Sequence, residues 1–118
     1  MAKPYGSQGF LNPPYSHNSG SFKFSVRPRK EDRGSVGRSF TTMFRIADCQ
    51  EHIELDFGVG TVYTGSDVDT VKSVIENIDA AEAKIDLFCE EVIKFRKAFR
   101  KHAKEYRKAL QDHLAVKS

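Results

Sequence analysis

Cysteine is scarce in this sequence, with only Cys49 and Cys89 among 118 residues. Two cysteines do not make the disulfide framework of a small secreted domain, so the expectation is a reduced, intracellular protein of the cytoplasm. Long apolar runs are missing as well. Nothing approaches the roughly 20 residues that a bilayer-spanning helix requires, which argues against a membrane protein. The first stretch, MAKPYGSQGF, holds no apolar core region, so no secretory signal is read there. Glycine and proline disappear after Gly65, and with them the usual helix breakers.

Catalytic signatures are equally thin. GVGTVYTG, residues 58–65, lacks the Lys-Ser/Thr pair of a phosphate-binding loop, and its glycines suit a bulge or bend. No serine–histidine or cysteine–histidine arrangement stands out as a nucleophilic centre. Cys49 and His52 have Cys-x-x-His spacing, but a tetrahedral metal site needs four ligands. Cys89 and His102 would lie about 20 Å apart along a helix axis and could not share an ion. Glu54 and Asp56 share a strand face, where Arg45 and Arg27 are the expected partners rather than Mg²⁺. The chain is therefore read as no enzyme, with no catalytic residue, cofactor or metal. Asn12 to Tyr15, NPPY, matches an adaptor-recognised pattern, although an extended turn explains it more simply.

What is present is charge in blocks. Residues 1–47 carry eight Lys/Arg and two Asp/Glu, a net +6; residues 48–91 carry two and twelve, −10; residues 92–118 carry nine and two, +7. The overall +3 hides this asymmetry, which points to partners or to self-association. Hydrophobic residues at 39% and charged residues at 30% still allow one modest domain to fold.

Periodicity then divides the chain. Residues 1–20 hold three of the four prolines and no repeat, so they read as a flexible, irregular N-terminal arm. Residues 21–64 show period two. Phe22, Phe24 and Val26 alternate with Lys23, Ser25 and Arg27; Phe40, Thr42, Phe44 and Ile46 alternate with Thr41, Met43 and Arg45. Ile53, Leu55, Phe57 and Val59 form a third such row. These are half-buried antiparallel strands, with the Phe row as core against the helix and TVYTG as a short optional fourth strand.

From residue 67 the period becomes seven. Val71, Ile78, Ile85, Val92, Phe99 and Tyr106 recur at one heptad position, and Val74, Ala81, Phe88, Phe95, His102 and Ala109 follow three residues on. Ser66 reads as N-cap, with Asp69 in the capping-box position. A single helix over 67–114 would be about 70 Å long, far beyond a small sheet whose strands span about 20 Å. Either it breaks near ENIDAAEAK, or its second half packs on another chain, and the absence of a breaker favours the latter. The expected interface residues are Val92, Phe95, Phe99, Tyr106 and Leu110, with His102 as a polar residue on the same seam.

The fold class is thus α+β: an irregular arm (1–20), then one domain (21–118) with a three- to four-stranded antiparallel sheet followed by one long C-terminal helix. On that helix Lys94, Arg96, Lys97 and Arg100 lie opposite the apolar stripe, as do Lys101, Lys104, Arg107 and Lys108. Glu105 is the only acid between Lys94 and Lys108. Eight like charges repel one another, and an anionic partner would remove that cost; phosphate backbone is the commonest one. Arg29, Lys30, Arg33 and Arg38, in or beside the first loop, add to the positive field. The leading expectation is a non-catalytic nucleic-acid-binding protein that contacts phosphate through Lys94, Lys97, Arg100, Lys101, Lys104, Arg107 and Lys108 and through the loop cations. An acidic protein surface is the other candidate for the basic face, and bare solubility the plainest. The alternative function is an assembly or regulatory protein-binding module, forming a homo-oligomer or inhibiting a partner through the arm and the heptad helix.

Overall fold

The structure, a computed structural model, describes residues 3–11, 20–30, 33–48 and 51–117. Four strands, β1 (Tyr5–Phe10), β2 (Gly20–Pro28), β3 (Phe40–Asp48) and β4 (Glu51–Glu54), precede one helix, α1 (Val68–Lys117). The strands form an antiparallel sheet in the order β1-β2-β3-β4. An α+β plan with a small antiparallel sheet and one long C-terminal helix is what these residues adopt.

The register follows from the alternation. Phe22 pairs with Ile46, Phe24 with Phe44 and Val26 with Thr42, so the apolar residues share one face. Lys23 pairs with Arg45 and Arg27 with Thr41 on the other. Phe24 stacks on Phe44 with centroids 4.4 Å apart, Phe22 lies 5.0 Å from Phe24, and Phe57 meets Phe44 edge-on at 5.7 Å.

Two strand boundaries differ from the sequence reading. β1 falls inside the segment read as an arm, although its sequence YGSQGF has no alternating apolar row. Backbone pairing with β2 recruits it, Ser7 opposite Phe24 and Gly9 opposite Phe22. Glycine permits that approach: a Cβ on residue 9 would come within 3.2 Å of the Phe22 ring. The NPPY segment lies outside the described residues.

The third apolar row pairs only over β4. Leu55 still donates its N–H to the Phe44 carbonyl at 3.0 Å, and the chain then leaves the sheet. Asp56 Oδ1 accepts the Gly58 N–H at 2.7 Å, and Gly60 takes φ +96°, a conformation that side chains other than glycine rarely adopt. The bend turns Phe57 and Val59 inward, and among the described residues these are the buried apolar core. Ile53, in the same row, stays exposed. TVYTG supplies no full strand. It is held by an isolated bridge between Tyr63 and Ser35, with the Val36 N–H on the Val62 carbonyl at 2.8 Å.

Asp67, and not Ser66, caps the helix. Asp67 Oδ1 accepts the Thr70 N–H at 2.7 Å, and its carbonyl accepts the Val71 N–H at 3.1 Å. Hydrogen bonds from the Thr70 side chain, and then from its backbone, hold the Asp67 carboxyl below the ordinary value. Ser66 instead closes a turn, its hydroxyl accepting the Tyr63 N–H at 3.0 Å. The first turns of α1 bring Val71, Val74 and Ile78 to a cleft shared with Val36, Phe40 and Val59, and Asn77 Nδ2 donates to the Val59 carbonyl at 3.4 Å.

The chain forms two compact units, Met1–Ala81 and Glu82–Ser118. ENIDAAEAK is helical throughout, as its lack of glycine and proline permits. The second unit consists of the remainder of α1. No residue of α1 is buried.

Candidate nucleic-acid interface

Helical geometry places the basic side chains before any contact is considered. At about 100° per residue, Lys94, Arg96, Lys97, Arg100, Lys101, Lys104, Arg107 and Lys108 fall within an arc of about 160°. Phe95, Phe99 and Tyr106 fall on the opposite side of the same cylinder. All eight cations are exposed. Lys94 Nζ lies 3.2 Å from Glu91 Oε1, and Lys108 Nζ lies 3.0 Å from Asp112 Oδ2. Such exposed pairs contribute roughly 0 to 1 kcal/mol each and exchange readily for other partners. The second also runs in the less favourable order, with the cation N-terminal to the acid.

Between them, Arg96, Lys97, Arg100, Lys101, Lys104 and Arg107 make no ion pair among the described residues. Lys97 to Arg107 spans about 15 Å of helix axis, which makes a continuous cationic strip. Ile93 is 56% exposed and lies at the head of this arc, off the heptad seam. The seven-residue repeat gives no reason to single it out; only its angle on the helix does.

The loop cations divide differently. Arg29 Nη1 donates to Thr61 Oγ1 at 3.3 Å, and its N–H bonds the Ser39 carbonyl at 2.9 Å. Arg38 Nε donates to the Arg29 carbonyl at 3.1 Å. The Arg29 guanidinium thereby ties the β2–β3 loop to Thr61, that of Arg38 joins the two ends of the loop, and Thr61 Oγ1 in turn donates to Ser39 Oγ at 3.1 Å. Lys30 and Arg33 are exposed and make no such tie among the described residues. The loop belongs to the first unit and the basic arc to the second.

On the outer sheet face Arg45 Nε meets Glu54 Oε1 at 3.6 Å, the cross-strand pair expected from sequence. Asp56 turns to the Gly58 N–H as described above. No group of three or more His, Cys, Asp or Glu among the described residues comes together as a metal cage. Cys49 lies outside the described residues, and Cys89 is a free, exposed thiol. Among those residues, no helix is long and apolar enough to cross a membrane.

The expected interface residues are all exposed: Val92, Phe95, Phe99, Tyr106 and Leu110. Phe95 and Phe99 touch each other, with centroids 6.2 Å apart. No family model, curated protein or solved structure matches the chain.

Proposed function

We propose that the chain is a non-catalytic nucleic-acid-binding protein whose basic arc on α1 contacts the phosphate backbone of DNA or RNA. The observation that carries this reading is the run from Arg96 to Arg107, six exposed cations on one helix face that make no ion pair among the described residues. A helix gives up stability by holding like charges one turn apart, and phosphate contact restores it. Lys94 and Lys108 join the strip once a phosphate displaces Glu91 and Asp112. In the β2–β3 loop Lys30 and Arg33 are the secondary contacts, with Arg29 and Arg38 holding the loop in shape. The protein acts in the cytoplasm and uses no cofactor or metal.

A second reading, an assembly module that forms a homo-oligomer, is supported by the exposed seam of Val92, Phe95, Phe99, Tyr106 and Leu110. The two readings use opposite faces of α1. One experiment separates them: size-exclusion with light scattering, with the 260/280 nm ratio read before and after nuclease. Nucleic-acid binding predicts co-eluting material that nuclease removes and that rebinds at low salt. A stable protein complex indifferent to nuclease, with no DNA or RNA binding at low salt, would remove the first reading.

A further inference from the structure

We infer that the outer face of the sheet carries a second nucleic-acid site, which takes an unpaired base of a single strand on Phe10 and its phosphate at Lys23. The inference shares with the proposed function only the class of ligand. It uses none of the cations of α1.

Register brings the residues together. Phe10 pairs with Ser21 and Ser21 with Ala47, so these three stand in one cross-strand row. Gln8, Lys23 and Arg45 form the next row, two residues along. Both rows lie on the face opposite Phe22, Phe24 and Phe44, because successive side chains of a strand point to opposite sides. Phe10 is 79% exposed there, and its ring adds nothing to the core. Beside it lies an open trough of about 460 Å³, lined by Gln8, Phe10, Ser21, Lys23, Arg45 and Ala47. Ser21 and Ala47 are small, so its floor is low, with a ring on one side and two long cations on the other.

Charge and shape select the ligand. Among the described residues of the four strands, Lys23, Arg27 and Arg45 share this face with one acid, Glu54. Glu54 is already engaged by Arg45. Lys23 is exposed and makes no ion pair among the described residues, so a phosphate reaches it without displacing an acid. An acidic peptide would satisfy Lys23 and leave the ring bare. A nucleotide satisfies both, its base stacking on the ring while its phosphate meets the ammonium, and Gln8 offers an amide to the base edge. Gln8 and Lys23 also line a second depression, of about 350 Å³, that runs past Gly6 to Arg27. From Ser21 to Arg27 the face extends about 20 Å, which suits a strand and exceeds a free nucleotide. Duplex is the poorer ligand, because its bases are held in the stack and do not reach a ring outside it.

The test uses the full chain with Lys97→Gln, Arg100→Gln, Lys101→Gln and Lys104→Gln as background, so that the arc does not mask the sheet. Anisotropy is read at low salt with labelled oligothymidylate and with a duplex of equal length. The background should bind the single strand more tightly than the duplex. Phe10→Ala should weaken single-strand binding by about 5- to 150-fold and leave the salt slope unchanged. Lys23→Gln should instead reduce the slope by about 0.7. Phe10→Trp should bind at least as tightly as the background. Phe10→Ile keeps strand propensity without a ring, so it should fail as Phe10→Ala does. Binding retained by Phe10→Ile would trace the loss in Phe10→Ala to β1 pairing and overturn the site. A background that binds no single strand also overturns it, and leaves the arc standing where wild type binds. Wild type that binds no nucleic acid overturns both. Competition by polyglutamate equal to that by unlabelled oligothymidylate would make the occupant an acidic peptide and overturn the nucleic-acid assignment of this face.

Discussion

Replacing Lys97, Arg100, Lys101 and Lys104 together by Gln is the most direct test of the basic arc. All four are exposed and make no ion pair among the described residues, so their loss breaks none there. Gln matches Lys and Arg in helix propensity and leaves the seam untouched, so helicity should hold by circular dichroism. The arc spans under half the circumference, and four or five of its cations can meet one backbone together. Four phosphates neutralised give a log–log salt slope of about −3.6 on duplex DNA and about −2.8 on single strands. Raising salt from about 50 to 200 mM should thus weaken duplex binding by about 150-fold and single-strand binding by about 50-fold. Fluorescence anisotropy of short labelled oligonucleotides reads both slopes. The variant should retain a slope near zero to −1 and lose affinity alike for unrelated sequences, because phosphate contacts carry no sequence information. Wild-type binding with a slope near zero, or equal binding by the variant, would refute the assignment of phosphate contact to this arc.

Phe95→Glu with Phe99→Glu should yield monomers by light scattering while the sheet signal in circular dichroism persists. Phe57→Ala should cost about 3 to 5 kcal/mol in denaturant unfolding, since Phe57 is 6% exposed in a core of few buried residues. Asp67 has a lowered carboxyl pKa, so its helix-capping contribution is fully present above the ordinary 3.8 and is lost as pH falls through the lower folded value. Asp67→Asn keeps a cap acceptor but cannot titrate, so wild type should lose more thermal stability than this variant on acidification below pH 3.8. Changing Glu82, Asp86, Glu90 and Glu91 to Gln should raise polyanion affinity at low salt; unchanged affinity would show that these acids do not shield the basic arc.

The parts of the fold legible in the sequence are those with an unbroken period. Phe22/Phe24 and Phe40/Phe44/Ile46 announce β2 and β3, and the heptads announce α1, because each row buries or presents a face by repetition. β1 was hidden because YGSQGF carries no apolar row; it joins by backbone pairing, which side-chain pattern does not report. The row from Ile53 to Val59 reads as one strand, yet Asp56 and Gly58 bond locally and turn its second half into a lid on Phe44. Ser66 and Asp67 are both good caps, and the choice between them depends on a turn with Tyr63 that spacing alone does not reveal. The basic arc was legible in full, since helical angle follows from residue number. The division among the loop cations was not, because Thr61 and Ser39 are distant in sequence from Arg29.

The seam and the basic arc are set on opposite sides of α1, so one helix can serve both proposed contacts without sharing a side chain. Pairing through the seam therefore leaves each arc turned outward, away from the second copy. The two contacts are separable: a polyanion on the arc leaves the apolar seam untouched, and removing the seam leaves the arc intact. The Phe95→Glu, Phe99→Glu protein tests this separation, because its eight arc cations are intact. It should bind single-stranded nucleic acid at low salt at least as tightly as wild type, despite two added negative charges on the far face. Much weaker binding by that monomer, with helicity retained, would mean that two copies jointly form the phosphate site.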